Sequence, residues 1–301
     1  MTPYSRAQLQ IHACVVLWGF TAVFGRAITL PATSLVWWRM VIVSLLLLLV
    51  QRVRHALWKM PARLRLTYAG IGVVVAIHWL AFYGAIKVSN ASVGATCLAV
   101  APVFMALIEP WVTKSRFDPR ELLLGVFVIP GVVLVVGGIP VAMHMGLVLG
   151  AVSAFFAALF GSLNKRFVHE GDPLAVTCIE LGAGVALVTV LAFLTPHEAA
   201  AIAVPGARDA GLLFLLAVAC TLLPFALSLV ALRHLSAFAV QLATNLEPVY
   251  SIILAAILLG ERRELGARFY AGAAVVLLGV FAHPFVVRRR PDEASAAAHE
   301  A

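Results

Sequence analysis

Glu247 stands immediately before Pro248, about halfway along an apolar run. A carboxylate at such a position costs several kcal/mol in lipid unless it is neutralised, paired or facing water, so the acid reads as a proton-coupling or cation-recognising group. The alternative is a structural cap on the break that the proline makes, since proline lacks a backbone donor and frees a carbonyl one turn earlier. Arg39 carries the opposite charge in another apolar run, beside Trp37 and Trp38. It suits a fixed cation for a substrate carboxylate or a gate, against a structural ion pair or an arginine that snorkels to the surface. His78 is followed by Trp79 and lies one turn before Phe82 and Tyr83. That fits either a proton relay or a hydrogen-bonded core histidine beside an aromatic wall. Gln241, Asn245 and Tyr250 recur at spacings of four and five and would share roughly one face of a continuous helix, ready for a polar ligand. Glu180 is a further acid inside an apolar run, while Glu109 and Asn164 stand near run ends and read as gates or anchors.

The elements that hold these groups are membrane helices. Hydrophobic residues make up 62% of the 301 positions and charged residues 12%, against roughly 45–50% and about 25% in a soluble protein. Mean hydropathy is +1.01. Apolar runs of about 20 residues recur along the chain. Divided at polar and proline-bearing breaks, they predict ten spans at 10–29, 34–51, 66–86, 91–113, 120–139, 144–164, 174–194, 209–231, 237–259 and 266–287. The first lacks a convincing cleavage site and reads as a retained helix, not a signal peptide. Most lysines and arginines collect on one side of this layout, which predicts both termini in the cytoplasm and removes any need for a nucleic-acid partner to explain the net charge of +8. Counting about 1.5 Å per residue through a core of about 30 Å, Arg39 lies about 9 Å from the outer surface and Glu247 near the middle. That makes them the expected ion pair; Glu180 lies at a comparable depth from the inner surface.

The chain also matches itself. Sliding 80–125 onto 226–271 sets Ala91 over Ala237, Pro102-Val103-Phe104 over Pro248-Val249-Tyr250 and Arg116 over Arg262. Sliding 31–50 onto 172–191 sets Arg39 over Glu180. Two copies of a five-helix unit follow, and because five is odd the second enters the membrane from the opposite side, as in secondary transporters. Pro102 thereby partners Pro248, but Glu247 faces only Ala101, so the prolines read as architecture and the acid as function.

Leu246-Glu247-Pro248-Val249-Tyr250, Leu258-Leu259-Gly260-Glu261-Arg262 and Tyr270 through Gly279, with Leu17-Trp18-Gly19-Phe20 and Trp38-Arg39 in the first half, resemble the EamA-type repeat of the drug/metabolite transporter superfamily. The resemblance covers about 10–287. The first copy departs from it, with Lys114-Ser115-Arg116 where Gly-Glu-Arg is expected. It implies an all-α polytopic protein of ten transmembrane helices in two inverted repeats, 1–139 and 144–287, with a disordered cytoplasmic tail at 288–301. It also implies an inner-membrane metabolite carrier, often an exporter, whose spans 5 and 10 lie outside a central cavity.

The function expected is therefore secondary active transport, by alternating access, of a small metabolite such as an amino acid or related amphiphile. A passive facilitator or exchanger is the alternative, and a membrane-embedded lipid-handling enzyme a more distant one, since the acids are scattered in depth. Proton coupling would run through Glu247 or His78. No cofactor or metal is expected: no phosphate-binding motif appears, and the histidines lack metal-ligand spacing. The chain would act as a monomer or homodimer in the bilayer. Gly182-x-Gly184 inside an apolar helix is a packing pattern, not a nucleotide loop, and the four cysteines read as small buried apolar residues.

Overall fold

A computed structural model describes residues 2–136, 139–194, 204–244, 246–260 and 266–286, and every regular element among them is helical. The helices are α1 Pro3–Ala27, α2 Ala32–Leu49, α3 Gln51–Lys59, α4 Ala62–Val88, α5 Ala91–Cys97, α6 Ala101–Thr113, α7 Pro119–Val136, α8 His144–Phe167, α9 Pro173–Leu194, α10 Ala207–Ala217, α11 Leu223–Ala231, α12 Ala237–Thr244, α13 Glu247–Leu258 and α14 Ala267–Val286. Among the described residues seven segments are long and apolar enough to cross a membrane: α1, α2, α4, the α5–α6 stretch, Val141 through α8, α9, and the α10–α11 stretch. The remaining expected spans coincide with α7, the α12–α13 pair and α14. The Gly-Glu-Arg segment at 260–262 after its glycine, and the tail, lie outside the described residues.

Two departures from the sequence expectation have local causes. The first helix starts at Pro3, not residue 10, because the Thr2 hydroxyl accepts the Ser5 amide at 3.2 Å and Pro3 needs no donor in the first turn. The basic stretch after α2, expected as a connection, is the helix α3. It buries Val53 and leaves Trp58 88% exposed, as suits an amphipathic helix at a membrane surface.

Prolines break three of the spans. A 3-10 turn at Leu98–Val100 separates α5 from α6 just before Pro102, and α13 opens at Glu247, just before Pro248. A π-helical turn at Val218–Leu222 precedes Pro224 and joins α10 to α11. Ala91 and Ala237 each open a helix, as do Ala32 and Pro173. Packing runs between the halves: α4 lies on α8 and α9, α2 on α9, α6 on α8, α1 on α11 and α13, and α7 on α14. Small residues permit the close approach. A Cβ on Gly184 would stand 2.4 Å from the Met40 sulfur, whereas one on Gly182 would meet nothing, so of the glycine pattern in α9 only Gly184 is required by packing. All four cysteines are buried as free thiols, and Asn90 caps α5 by accepting the Val93 amide at 2.9 Å.

Candidate functional site

The proline-broken helices surround a central cavity. It offers about 110 Å³ to the centres of water-sized spheres, against the roughly 10–15 Å³ that a single water needs. Trp18, Trp79, Phe82, Phe160 and Phe225 give it an aromatic wall, and Arg39, His78, Asn164, Ser228, Thr244 and Glu247 supply polar groups. A mostly apolar chamber with a few convergent polar groups is the usual build of a small-molecule site. Leu232 and Ala237 line it toward the end of the bundle that carries Arg52, Arg166 and Arg233.

Arg39 is 2% exposed, with each of its three nitrogens engaged in one hydrogen bond. Nε donates to the Thr221 hydroxyl at 2.5 Å, Nη2 to the Cys220 carbonyl at 3.1 Å and Nη1 to the Tyr83 hydroxyl. The guanidinium also lies 3.9 Å from the centroid of the Trp79 ring, a cation–π contact in a dry setting. The acceptors come from the π-helical turn. Pro224 has no N–H to give to the Cys220 carbonyl four residues earlier, so that oxygen is left for the arginine. Sequence reasoning missed Thr221 and Cys220; the signal was Pro224, four residues beyond Cys220 inside an apolar run.

Glu247 is buried at the first turn of α13 and also lines the cavity. Among the described residues it makes no hydrogen bond and no ion pair, and the expected pairing with Arg39 is not formed. The two charges share one chamber, but the guanidinium is turned onto α4 and the π turn. The carboxylate therefore has acceptor capacity to spare.

His78 behaves partly as a core histidine. Its Nδ1 lies 2.9 Å from both the Ser153 carbonyl and the Ser153 hydroxyl. A carbonyl only accepts, so Nδ1 carries a proton, which leaves Nε2 as the nitrogen that can exchange one. Phe82 and Phe160 flank the ring, which also lines the cavity. Tyr83 is buried and holds Arg39 without lining the chamber, while Trp38 packs edge-on against Trp37 at 4.9 Å, away from it.

The remaining candidates divide. Glu109 is an anchor: Oε1 and Oε2 accept the amides of Ala237 and Phe238 at 3.1 and 2.7 Å, capping α12 with a carboxylate where the helix dipole favours one. Glu109→Ala is expected to cost about 1–2 kcal/mol, the range for losing a helix cap, and to lower the thermal midpoint in detergent. An unchanged midpoint would remove the capping role. Asn164 lines the cavity, and Glu180 is completely buried next to it, with Asn164 Nδ2 3.5 Å from Glu180 Oε2. Tyr250 is 38% exposed on α13 and packs its Cβ against Gly19 of α1, not the cavity. Gln241 and Tyr250 lie on α12 and α13, on either side of residue 245. Asn245 and the side chain of Gln241 lie outside the described residues.

Known proteins bear on this architecture. Residues 6–137 and 144–282 match the EamA-like transporter family. A Bacillus subtilis (strain 168) protein described as "Uncharacterized transporter YyaM" is 22% identical over 295 residues, covering 92% of this chain and 95% of its own. A solved structure titled "Crystal structure of protein" superposes with a TM-score of 0.71 at 15% identity, over 94% of this chain and 99% of the other, and so shares the fold. With a buried, aromatic-walled chamber between the halves and a family match across nearly the whole chain, this multi-pass membrane protein belongs to the EamA-like transporter family.

Proposed function

We propose that the protein is a secondary active transporter that exports a small amphiphilic metabolite, an amino acid or close relative, across the inner membrane by alternating access. The observation that carries this is the pair of buried opposite charges, Arg39 and Glu247, that line one aromatic-walled chamber without forming an ion pair. A zwitterion with an apolar side chain fits that arrangement: its ammonium group meets the unoccupied carboxylate, its carboxylate approaches the cationic end, and its side chain meets the aromatic wall. The halves 1–139 and 144–287 are read as inverted five-helix repeats giving ten spans. This is supported by the matched helix starts at Ala91 and Ala237, and by packing in which α4 on α8 is mirrored by α1 on α11. The basic end is read as cytoplasmic, with both termini there. The opposite end is tied between the halves by Asp209, which accepts from the Thr29 amide and hydroxyl. That tie supports a conformation closed to the outside.

Binding is readable without radiolabel, because Trp18 and Trp79 line the chamber. Purified protein titrated with amino acids, their amides and their deaminated acids is expected to show tryptophan quenching by intact zwitterions with apolar side chains. Reconstituted vesicles should then move the same compounds. If amides and deaminated acids quench as well as the zwitterions, the two-charge reading fails. A passive facilitator or exchanger would bind identically but would not concentrate the compound when a pH gradient is imposed.

A further inference from the structure

A second polar cluster lies beside the chamber. Glu180 on α9 is 0% exposed, and its Oε1 has no hydrogen-bond partner; the Oδ1 of Asn164 on α8, 2% exposed, has none either. The single contact between them is Asn164 Nδ2 to Glu180 Oε2, at 3.5 Å. No cation stands within ion-pair distance of Glu180 among the described residues. α4 packs backbone to backbone on α9 here: a Cβ on Gly72 would stand 2.1 Å from the Glu180 main-chain carbonyl oxygen. An ionised carboxylate left alone in such a place costs far more than a neutral one. One proton resolves both orphaned atoms. On Oε1 it makes that oxygen a donor, Asn164 Oδ1 becomes its acceptor, and Asn164 Nδ2 continues to donate to Oε2, giving a closed carboxyl–amide pair.

We propose that Glu180 and Asn164 form a proton-binding site, distinct from the substrate chamber, that is loaded in this conformation and released when the halves rearrange and α9 is hydrated. The role in transport rests on the reading above; the occupancy by a proton does not. Asn164 is the link, since it lines both the chamber and a small pocket beside Tyr68, Gly171 and Val176 toward the basic end. That pocket offers about 10 Å³, at the lower limit for one water, so a bare proton fits where a hydrated metal ion does not. The groups facing Glu180 leave it without a competing charge. Tyr68 on α4 is titratable, but its hydroxyl donates to the Phe167 carbonyl at 2.8 Å, and at the bundle end Arg233 is committed to the carbonyls of Val168 and Gly171. From α2 come Met40 and Ser44, which do not titrate in this range. The exchange is balanced: one proton is taken from water at the basic end and returned to water after the rearrangement, with no other bond made or broken.

Infrared spectroscopy of the full-length protein in vesicles at neutral pH tests occupancy. The wild type is expected to show a protonated-carboxyl C=O band that shifts in D₂O, persists in Glu247→Gln and is lost in Glu180→Gln. Should Glu180→Gln not fold, Asn164→Leu, which removes the partner, should shift the same band. In flux measurements Glu180→Gln should still move substrate downhill but lose the response to a pH gradient. A band that survives in Glu180→Gln, or a sodium-dependent rise in thermal stability that disappears in that variant, overturns the proton site. Flux with no band leaves the transport reading standing and removes this one, whereas a band without flux of any test compound keeps the proton site and removes transport.

Discussion

Arg39→Lys is expected to abolish transport and to lower the thermal midpoint of the folded protein, although it preserves the charge. The guanidinium makes three hydrogen bonds in three directions, to Thr221, Cys220 and Tyr83, and stacks 3.9 Å from Trp79. A lysine ammonium is a compact point charge on a flexible stem and satisfies at most one of these directions well. Hydrogen bonds to charged groups are worth about 1.5–3 kcal/mol each, so losing two amounts to roughly 3–6 kcal/mol before any repacking. The loss is distributed across the molecule: α2 supplies the arginine, α4 the tyrosine and the tryptophan, and the π turn between α10 and α11 the two oxygens. Arg39 thus joins the two halves as well as charging the chamber. Thermal unfolding in detergent and vesicle flux should fall together. A lysine variant with wild-type midpoint and flux would show that the directed bonds are dispensable and that charge alone matters.

The difference between what the sequence revealed about Arg39 and what it hid is a difference between one-dimensional and three-dimensional information. Hydropathy identifies a buried cation because a charge in an apolar run is locally anomalous. Counting residues at about 1.5 Å each then gives its depth. Neither gives the rotation of the side chain about the helix axis, which is why Arg39 and Glu247, placed in one chamber as depth suggested, do not touch. Two of the partners that Arg39 does choose, Thr221 and Cys220, lie more than 180 residues away, on a turn whose irregular hydrogen bonding is announced only by Pro224. Proline signals were reliable for a related reason. A missing N–H is a property of one residue, so the 3-10 turn before Pro102 and the start of α13 before Pro248 fall where the sequence puts them. The Gln241–Asn245–Tyr250 face is a different case: Asn245 and the Gln241 side chain lie outside the described residues, and Tyr250 packs on Gly19. Glu109 shows the other limit: an acid near a span end is compatible with a gate or an anchor until the capped amides of Ala237 and Phe238 come into view. The α3 helix was overlooked because its polar residues outweigh Val53 in any average over the segment.

Glu247→Gln separates recognition from architecture more cleanly than any change at Arg39. The substitution keeps the shape of the side chain and removes its charge, and among the described residues no hydrogen bond or ion pair depends on that charge. Folding should therefore be unaffected or slightly favoured, since a lone buried carboxylate is costly and an amide less so. Binding should respond strongly. If the carboxylate holds a substrate ammonium, losing a charge-assisted interaction of about 1.5–3 kcal/mol weakens the apparent affinity by roughly 10- to 150-fold. The loss should be confined to compounds that carry an amine: a deaminated acid with the same side chain should bind the glutamine variant as weakly as it binds the wild type. Tryptophan quenching across the two compound series measures this directly. Equal losses for amine-bearing and amine-free compounds would mean that Glu247 shapes the chamber instead of reading charge. The proline break that frees the acid at the start of α13 would then be the functional feature and the carboxylate its cap, the reverse of the assignment that its unshared place in the repeat suggests.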